Sequence, residues 1–314
     1  HKELSVVRAL VCPGQGAQSI GMGKSLAIEY PKSKAIFEEV DDALGEKLSS
    51  LIWEGDIEEL TLTQNAQPAL MAMSLAALRG LESKGFEVDS CAYLAGHSLG
   101  EYSALAMSKA ISVSDAARLL RARGLAMQEA VPVGLGAMAA ILGLDFATVQ
   151  SLASEVQATG ICQAANDNDP SQVVISGEKT AVELAIVLAK NSGAKRAVML
   201  PVSAPFHCEL MAPAAEQMKI ELETIKVEQP IVPIVSNVSA QAISDPSEIK
   251  KLLVSQVTGS VRWRESIMWM AKNNVNEIWE VGSGKALNGM IRRIDKNINL
   301  KNISSPEEIE TLEF

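Results

Sequence analysis

The chain has 314 residues, 47% of them hydrophobic, and a formal net charge of −10. That length can bury one large core, or a core with a smaller inserted domain. The acidic balance argues against a nucleic-acid binder, and no apolar run approaches the roughly 18–20 residues that span a bilayer. The opening His1-Lys2-Glu3 shows neither a signal-peptide pattern nor an initiator Met, and reads as a tag remnant or a processed end. Cys12, Cys91, Cys162 and Cys208 are scattered without C-x-x-C spacing, three of them in apolar or strand-like runs. Buried free thiols therefore fit better than disulfides or a metal site, and a reducing compartment fits best.

Residues 6–12 form an apolar run that reads as a buried strand. It opens into Pro13-Gly14-Gln15-Gly16-Ala17-Gln18, with no Lys-Ser/Thr to complete a phosphate loop. This loop is either a plain connector or a set of backbone N–H donors beside a site at the sheet's C-terminal edge. Helices are expected over 32–44, 48–53 and 64–84, with Pro68 in the first turn of the last and Gly85 at its end.

Residues 91–95 then run into Gly96-His97-Ser98-Leu99-Gly100, and a helical segment follows over 101–109. This is strand, sharp turn, helix, with the G-x-S-x-G spacing of a nucleophile turn. The glycines let the backbone pass close on either side and hold the Ser98 hydroxyl clear of the sheet. The N–H of Leu99 lies at a helix N-terminus, where it can face a developing oxyanion. An ordinary βα turn with a capping serine would leave the same local trace. The next helix, 114–130, has Ser114 as its expected N-cap and Asp115 in its first turn. Ala116, Leu119, Arg123 and Met127 share one face, so Arg123 falls in the apolar stripe. A guanidinium so placed needs an anion, either a structural acid or a substrate carboxylate that its planar fork can grip.

Residues 134–200 have their own rhythm. Strands are expected over 137–142, 161–165, 172–176 and 196–200, with helices over 145–156 and 180–191 and an Asn/Asp-rich turn over 166–170. That order, βαββαβ, is the split βαβ of a ferredoxin-like unit. The main domain resumes with an irregular loop over 201–207 and helices over 208–225, 247–257, 263–273 and 285–293. Strands lie over 231–235 and 275–281, and the acidic tail 304–314 reads as peripheral. The expected architecture is α/β. An α/β-hydrolase-like domain with a mostly parallel sheet, residues 1–132 and 202–314, carries a ferredoxin-like insert, residues 133–201.

A serine needs a base to attack at neutral pH. Of three histidines, His1 sits at a terminus expected to fray, and His97 adjoins Ser98 in a turn where neighbouring side chains point apart. His207 remains, either as the base or as a capping or surface histidine. No carboxylate announces itself as a third member, so a backbone or amide carbonyl is left to orient the imidazole.

These residues add up to a family. The chain resembles the malonyl-CoA:acyl carrier protein transacylases of fatty acid synthesis, from about Val7 to about Arg293. The motifs that carry the resemblance are the Pro13–Gln18 loop, residues 63–70 with Gln67-Pro68, Gly96-His97-Ser98-Leu99-Gly100-Glu101, and Arg123-Gly124 before Met127. They continue with Ala204-Pro205-Phe206-His207 and with Gln256 in Val254-Ser255-Gln256-Val257. The resemblance implies that Ser98 takes the malonyl group as an ester and that His207 moves the proton. It implies an oxyanion hole from the N–H groups of Gln15 and Leu99, Arg123 on the malonyl carboxylate, and the Gln256 carbonyl on His207. His97, Asn166 and Asn168 become possible substrate contacts. The substrates implied are malonyl-CoA and 4'-phosphopantetheinyl acyl carrier protein, with no bound cofactor.

Phe206 resembles the malonyl-selective form of its position, and Pro205 departs from the smaller residue seen in some relatives. An acidic carrier needs a basic patch, for which Lys195/Arg196, Arg262/Arg264, Lys285 and Arg292/Arg293 are candidates. The rival readings are a serine thioesterase or esterase, a silent scaffold, and a free-standing acyltransferase of polyketide synthesis. A cytoplasmic monomer is expected, with an organelle matrix as the alternative location.

Overall fold

Two sheets organise the chain in the computed structural model, which describes residues 5–202 and 204–314. His1, with its expected fraying, the His1-Lys2-Glu3 start and Ser203 of the irregular loop lie outside the described residues. The strands are β1 (Arg8–Cys12), β2 (Tyr93–Gly96), β3 (Gly136–Leu142), β4 (Cys162–Asp169), β5 (Gln172–Glu178), β6 (Arg196–Met199), β7 (Ile234–Val235), β8 (Ala242–Ile243), β9 (Glu277–Val281) and β10 (Asn299–Ile303). The six-stranded sheet runs β10-β9-β1-β2-β7-β8 and the four-stranded sheet β4-β5-β3-β6. In the first, every pairing is parallel except β7 with β8. In the second, every pairing is antiparallel.

The parallel sheet places the site. Ala9, Leu10, Val11 and Cys12 of β1 are all fully buried, as a strand covered on both faces must be. β1 and β2 pair in register with Cys12 opposite Gly96, so the loops after them leave the same edge side by side. The N–H of His97 donates to the carbonyl of Cys12 at 3.1 Å and ties the two exits together.

Two helices bring in further groups. Helix Thr63–Ser83 is buried over most of its length. Pro68 is its sixth residue, not in its first turn as expected. Its missing N–H leaves the Gln64 carbonyl without its helical donor. Arg121 Nε, on helix Val113–Glu129, supplies that donor at 2.8 Å. The helices cross at Gly124, where a Cβ would lie 2.5 Å from the Cα of Gln64, so only glycine lets Arg123 come this close. The cap of Val113–Glu129 is Ser112, whose Oγ accepts from the N–H of Asp115 at 3.0 Å, not Ser114.

The antiparallel sheet follows the strand period. Ala137, Ala139 and Ile141 of β3 pack with helices Phe146–Glu155 and Lys179–Asn191. Met138 points the other way and meets Val174, Leu200 and Phe206. Of residues 166–170, expected as a turn, 166–169 belong to β4, because partners along the segment favour extension. The N–H of Asp167 donates to Val261 O at 2.9 Å, and Val261 N–H donates to Ala165 O at 2.8 Å. Asp167 is paired by Arg264 at 2.9 Å, and Asp169 by Arg293 at 2.7 Å.

Three other expectations change. The helix placed over 208–225 is a short 3₁₀ turn, Glu209–Met211, then helix Ala212–Glu223. The strand placed over 231–235 shortens to Ile234–Val235. The chain end is not peripheral, since β10 extends the sheet and Ile309 is fully buried, filling the space that a side chain at Gly80 would need. Among the described residues no helix is long and apolar enough to cross a membrane.

Candidate active site

A cavity of about 280 Å³ opens between the two sheets, with Ser98, His207 and Arg123 in its wall. Ser98 is held there by backbone strain that the sequence permits on both flanks. Its φ is 55°, in the left-handed region, which costs a non-glycine residue about 1–2 kcal/mol. A side chain at Gly96 would overlap the backbone of Gly100, and one at Gly100 would overlap the carbonyl of Cys12. His207 is also left-handed, with φ 59°. Its loop is anchored by Pro205, which packs on Gly136 so closely that a Cβ there would lie 2.6 Å from the proline Cγ.

Ser98 Oγ lies 2.7 Å from His207 Nε2, and His207 Nδ1 lies 2.9 Å from the carbonyl of Gln256. A carbonyl only accepts, so Nδ1 carries the proton and Nε2 is left to accept from the serine. Burial pushes the His207 pKa down to about 3, with the Arg123 charge next in effect. The imidazole is therefore neutral at pH 7, as a base must be.

Arg123 is 1% exposed, yet forms no ion pair with a described carboxylate. Instead Nη1 donates to Gln67 Oε1 at 2.7 Å, and Nη2 donates to Gln256 Oε1 at 3.0 Å and Ser98 Oγ at 3.2 Å. Neutral amide oxygens take up Nη1 and Nη2 without neutralising the guanidinium, and Nε is buried with no hydrogen-bond partner among the described residues. No structural salt bridge to Arg123 is formed among the described residues, although the buried Glu101 lies near enough to act on its charge. Burial lowers the Arg123 pKa, and the nearby Tyr102 and Glu101 oppose that.

Gln15 and Leu99 line the same cavity, and their backbone N–H groups have no acceptor among the described residues. Gln15 is fixed through its side chain, whose Oε1 accepts from Thr63 at 2.8 Å. His97 also lines the cavity, despite adjoining Ser98, with its Nε2 2.8 Å from Asn168 Oδ1. Asn168 thus stands behind His97. Asn166 lines the cavity, with a buried Oδ1 that has no hydrogen-bond partner among the described residues. Phe206 forms part of the wall.

Sequence reasoning gave no role to Gln67, Asn237 or Glu101. Asn237 is fully buried and donates from Nδ2 to Gly96 O at 2.7 Å, while its Oδ1 accepts from the N–H of Ser98 at 2.8 Å. The available signal was an asparagine just after an apolar strand at the sheet edge that carries the serine. Glu101 is 1% exposed, accepts from the N–H of Asn237 at 2.7 Å, and has its pKa pushed up to about 7 by burial.

The basic residues are not gathered into one free patch. Arg262 pairs with Glu265, Arg264 with Asp167 and Arg293 with Asp169. Lys195 and Arg293 share a separate depression that includes no residue of the catalytic cavity. Lys285 and Arg292 are exposed.

Known proteins match this arrangement along nearly the whole chain. The acyl transferase domain family matches residues 9–281. The chain is 48% identical over 303 residues to the malonyl CoA-acyl carrier protein transacylase of Bacillus subtilis (strain 168), covering 96% of this chain and 95% of that protein. It is 43% identical to the protein of that name from Escherichia coli (strain K12), covering 95% and 96%. The crystal structure of the acyl-carrier-protein-S-malonyltransferase from Bartonella henselae superimposes with a TM-score of 0.95 at 54% identity, covering 97% of this chain and 98% of that one. A malonyl-transacylase solved in complex with a type II PKS acyl-carrier protein gives 0.94 at 41% identity, covering 97% and 98%. The chain belongs to the acyl transferase domain family, in its malonyl CoA-acyl carrier protein transacylase branch.

Proposed function

We propose that this chain moves a malonyl group from malonyl-CoA to the phosphopantetheine thiol of an acyl carrier protein, through an ester on Ser98. Ser98 Oγ attacks the thioester carbonyl as its proton passes to His207 Nε2, 2.7 Å away. The oxyanion is received by the N–H groups of Gln15 and Leu99. Collapse expels the CoA sulfur, which takes the proton from His207. The carrier thiol then gives its proton to the same nitrogen and attacks the ester carbonyl; collapse breaks the bond to Ser98 Oγ, which takes that proton back from His207 as malonyl leaves on the carrier sulfur. The carbonyl of Gln256 holds the imidazole in the required tautomer throughout.

The observation that carries this reading is Arg123, a buried cation with no ion-pair partner among the described residues, 3.2 Å from the nucleophile. An acyl group that places a carboxylate there must keep its charge close to its reacting carbon. Malonyl has one methylene between the two. Binding that carboxylate also offsets the Arg123 charge that depresses His207, so the substrate strengthens the base that serves it. His97 and Asn166 are placed to touch the incoming arm, and Asn168 to hold His97.

The same reading covers the architecture. The separate sheets support a catalytic domain of residues 1–132 and 202–314 with an insert of residues 133–201. The strand order β4-β5-β3-β6 supports a ferredoxin-like insert, and the parallel sheet with its serine turn supports an α/β-hydrolase-like body. We place the activity in a monomer in the cytoplasm. No cofactor is needed by this chemistry.

The test is transfer itself. With malonyl-CoA and phosphopantetheinyl carrier protein supplied together, carrier mass should rise by one malonyl group as CoA appears. Free malonate with unmodified carrier would instead make the protein a thioesterase.

A further inference from the structure

We infer that Asn237 is a positioning residue that fixes which end of the Gln256 amide faces Arg123, and through it the preference for a carboxylated acyl group. The inference rests on the reading of Arg123 just given. Asn237 Oδ1 accepts two hydrogen bonds, from the Ser98 N–H at 2.8 Å and from Gln256 Nε2 at 3.1 Å. Its Nδ2 donates to Gly96 O at 2.7 Å. Turning the Asn237 amide over would set its NH₂ against two donors and its oxygen against a carbonyl, so one orientation is strongly favoured. Glu101 Oε1 accepts from the Asn237 backbone N–H at 2.7 Å and anchors the residue.

The consequence passes to Gln256. Its Nε2 is committed to Asn237 Oδ1 and, at 3.0 Å, to Ser98 O. Its Oε1 must then face Arg123 Nη2, where it accepts at 3.0 Å. A reversed Gln256 would set an NH₂ against the guanidinium, donor on donor, and push the fork away from the serine. Asn237 also brackets the strained turn from both sides, through Gly96 O and the Ser98 N–H, and so helps hold the left-handed φ of 55°. Asn237 and Gln256 are both fully buried, so neither has water to replace a lost partner.

The test compares malonyl-CoA with acetyl-CoA as acyl donors for the wild-type chain, Asn237→Ala and Asn237→Asp, by the rate at which intact mass reports acylation. In Asn237→Ala we expect malonyl acylation to fall about 100-fold and the malonyl-over-acetyl preference to fall about tenfold or more. Asn237→Asp keeps an acceptor oxygen for Gln256 and should keep the preference within about threefold at a reduced rate. A residue that merely supports the fold would slow both donors alike, so an unchanged preference in a folded Asn237→Ala overturns the inference. If the alanine variant does not fold, loss of preference in Asn237→Asp overturns it instead. A wild-type chain that takes malonyl no faster than acetyl would overturn the reading of Arg123, and the inference with it.

Discussion

The six-stranded sheet and the four-stranded sheet face each other across one cavity, and the walls they turn to it are held by different means. On the parallel side, Ser98 sits in a strained turn inside a dense network of short neutral hydrogen bonds to Asn237, Gln256 and Gly96. On the antiparallel side, Met138 and Val174 present an apolar wall, and β4 is fastened at its edge by Arg264–Asp167 and Arg293–Asp169. Neutral networks fix orientation to within a rotamer and leave Arg123 its charge. Ion pairs fasten one layer to another without demanding that precision. Changes on the first side should therefore act on rate, and changes on the second on stability.

The largest break should come from His207→Ala. Malonyl transfer should fall about 10⁴-fold, with the melting temperature nearly unchanged. A loss under about tenfold in a folded variant would remove His207 as the base. Next is Arg123→Ala, which should cost malonyl transfer about 2–4 kcal/mol of transition-state stabilisation while acetyl transfer falls less or rises. Equal losses for both donors, measured side by side, would return Arg123 to a structural role.

The opposite side is probed by Arg264→Ala. It strands Asp167, which is 1% exposed and whose pKa burial already raises. Urea unfolding should report a loss of about 2 kcal/mol, while the rate of acylation stays within severalfold. A variant of native stability with a collapsed rate would contradict the division between the sheets.

The smallest effect concerns pH. The His207 pKa is depressed when folded, so its contribution to stability is present above the ordinary histidine value of 6.5 and is lost as pH falls toward about 3. The acidic limb of kcat/KM, which reports the free enzyme, should lie well below 6.5. The limb of kcat should lie above that of kcat/KM and still below 6.5, because a bound malonyl carboxylate offsets Arg123 but not the burial. Coincident limbs near 6.5 would contradict the coupling.

Local chemistry made the centre of the site legible in the sequence. The Gly96–Gly100 turn, the apolar stripe holding Arg123 and the scarcity of histidines each act through neighbouring residues. The support around that centre was not legible. Asn237 meets Ser98 across 139 positions, and Gln67 meets Arg123 across 56. Residues 166–169 read as a turn because Asn and Asp favour turns when unpaired. Here Val261, Arg264, His97 and Arg293 pair them, and all four lie far away in sequence. The same distance hid the commitment of Arg264 and Arg293, which as sequence looked like free docking charge. Ser112 caps in place of Ser114, two residues earlier, at the least certain point of any helix.

The central claim is a covalent malonyl ester on Ser98, and intact mass measures it directly. The chain is exposed briefly to malonyl-CoA without carrier protein, beside Ser98→Ala. The account predicts one malonyl adduct on the wild-type chain, none on the variant, and loss of the adduct when phosphopantetheinyl carrier protein is added. CoA released with no adduct, or an adduct that persists in Ser98→Ala, would contradict it.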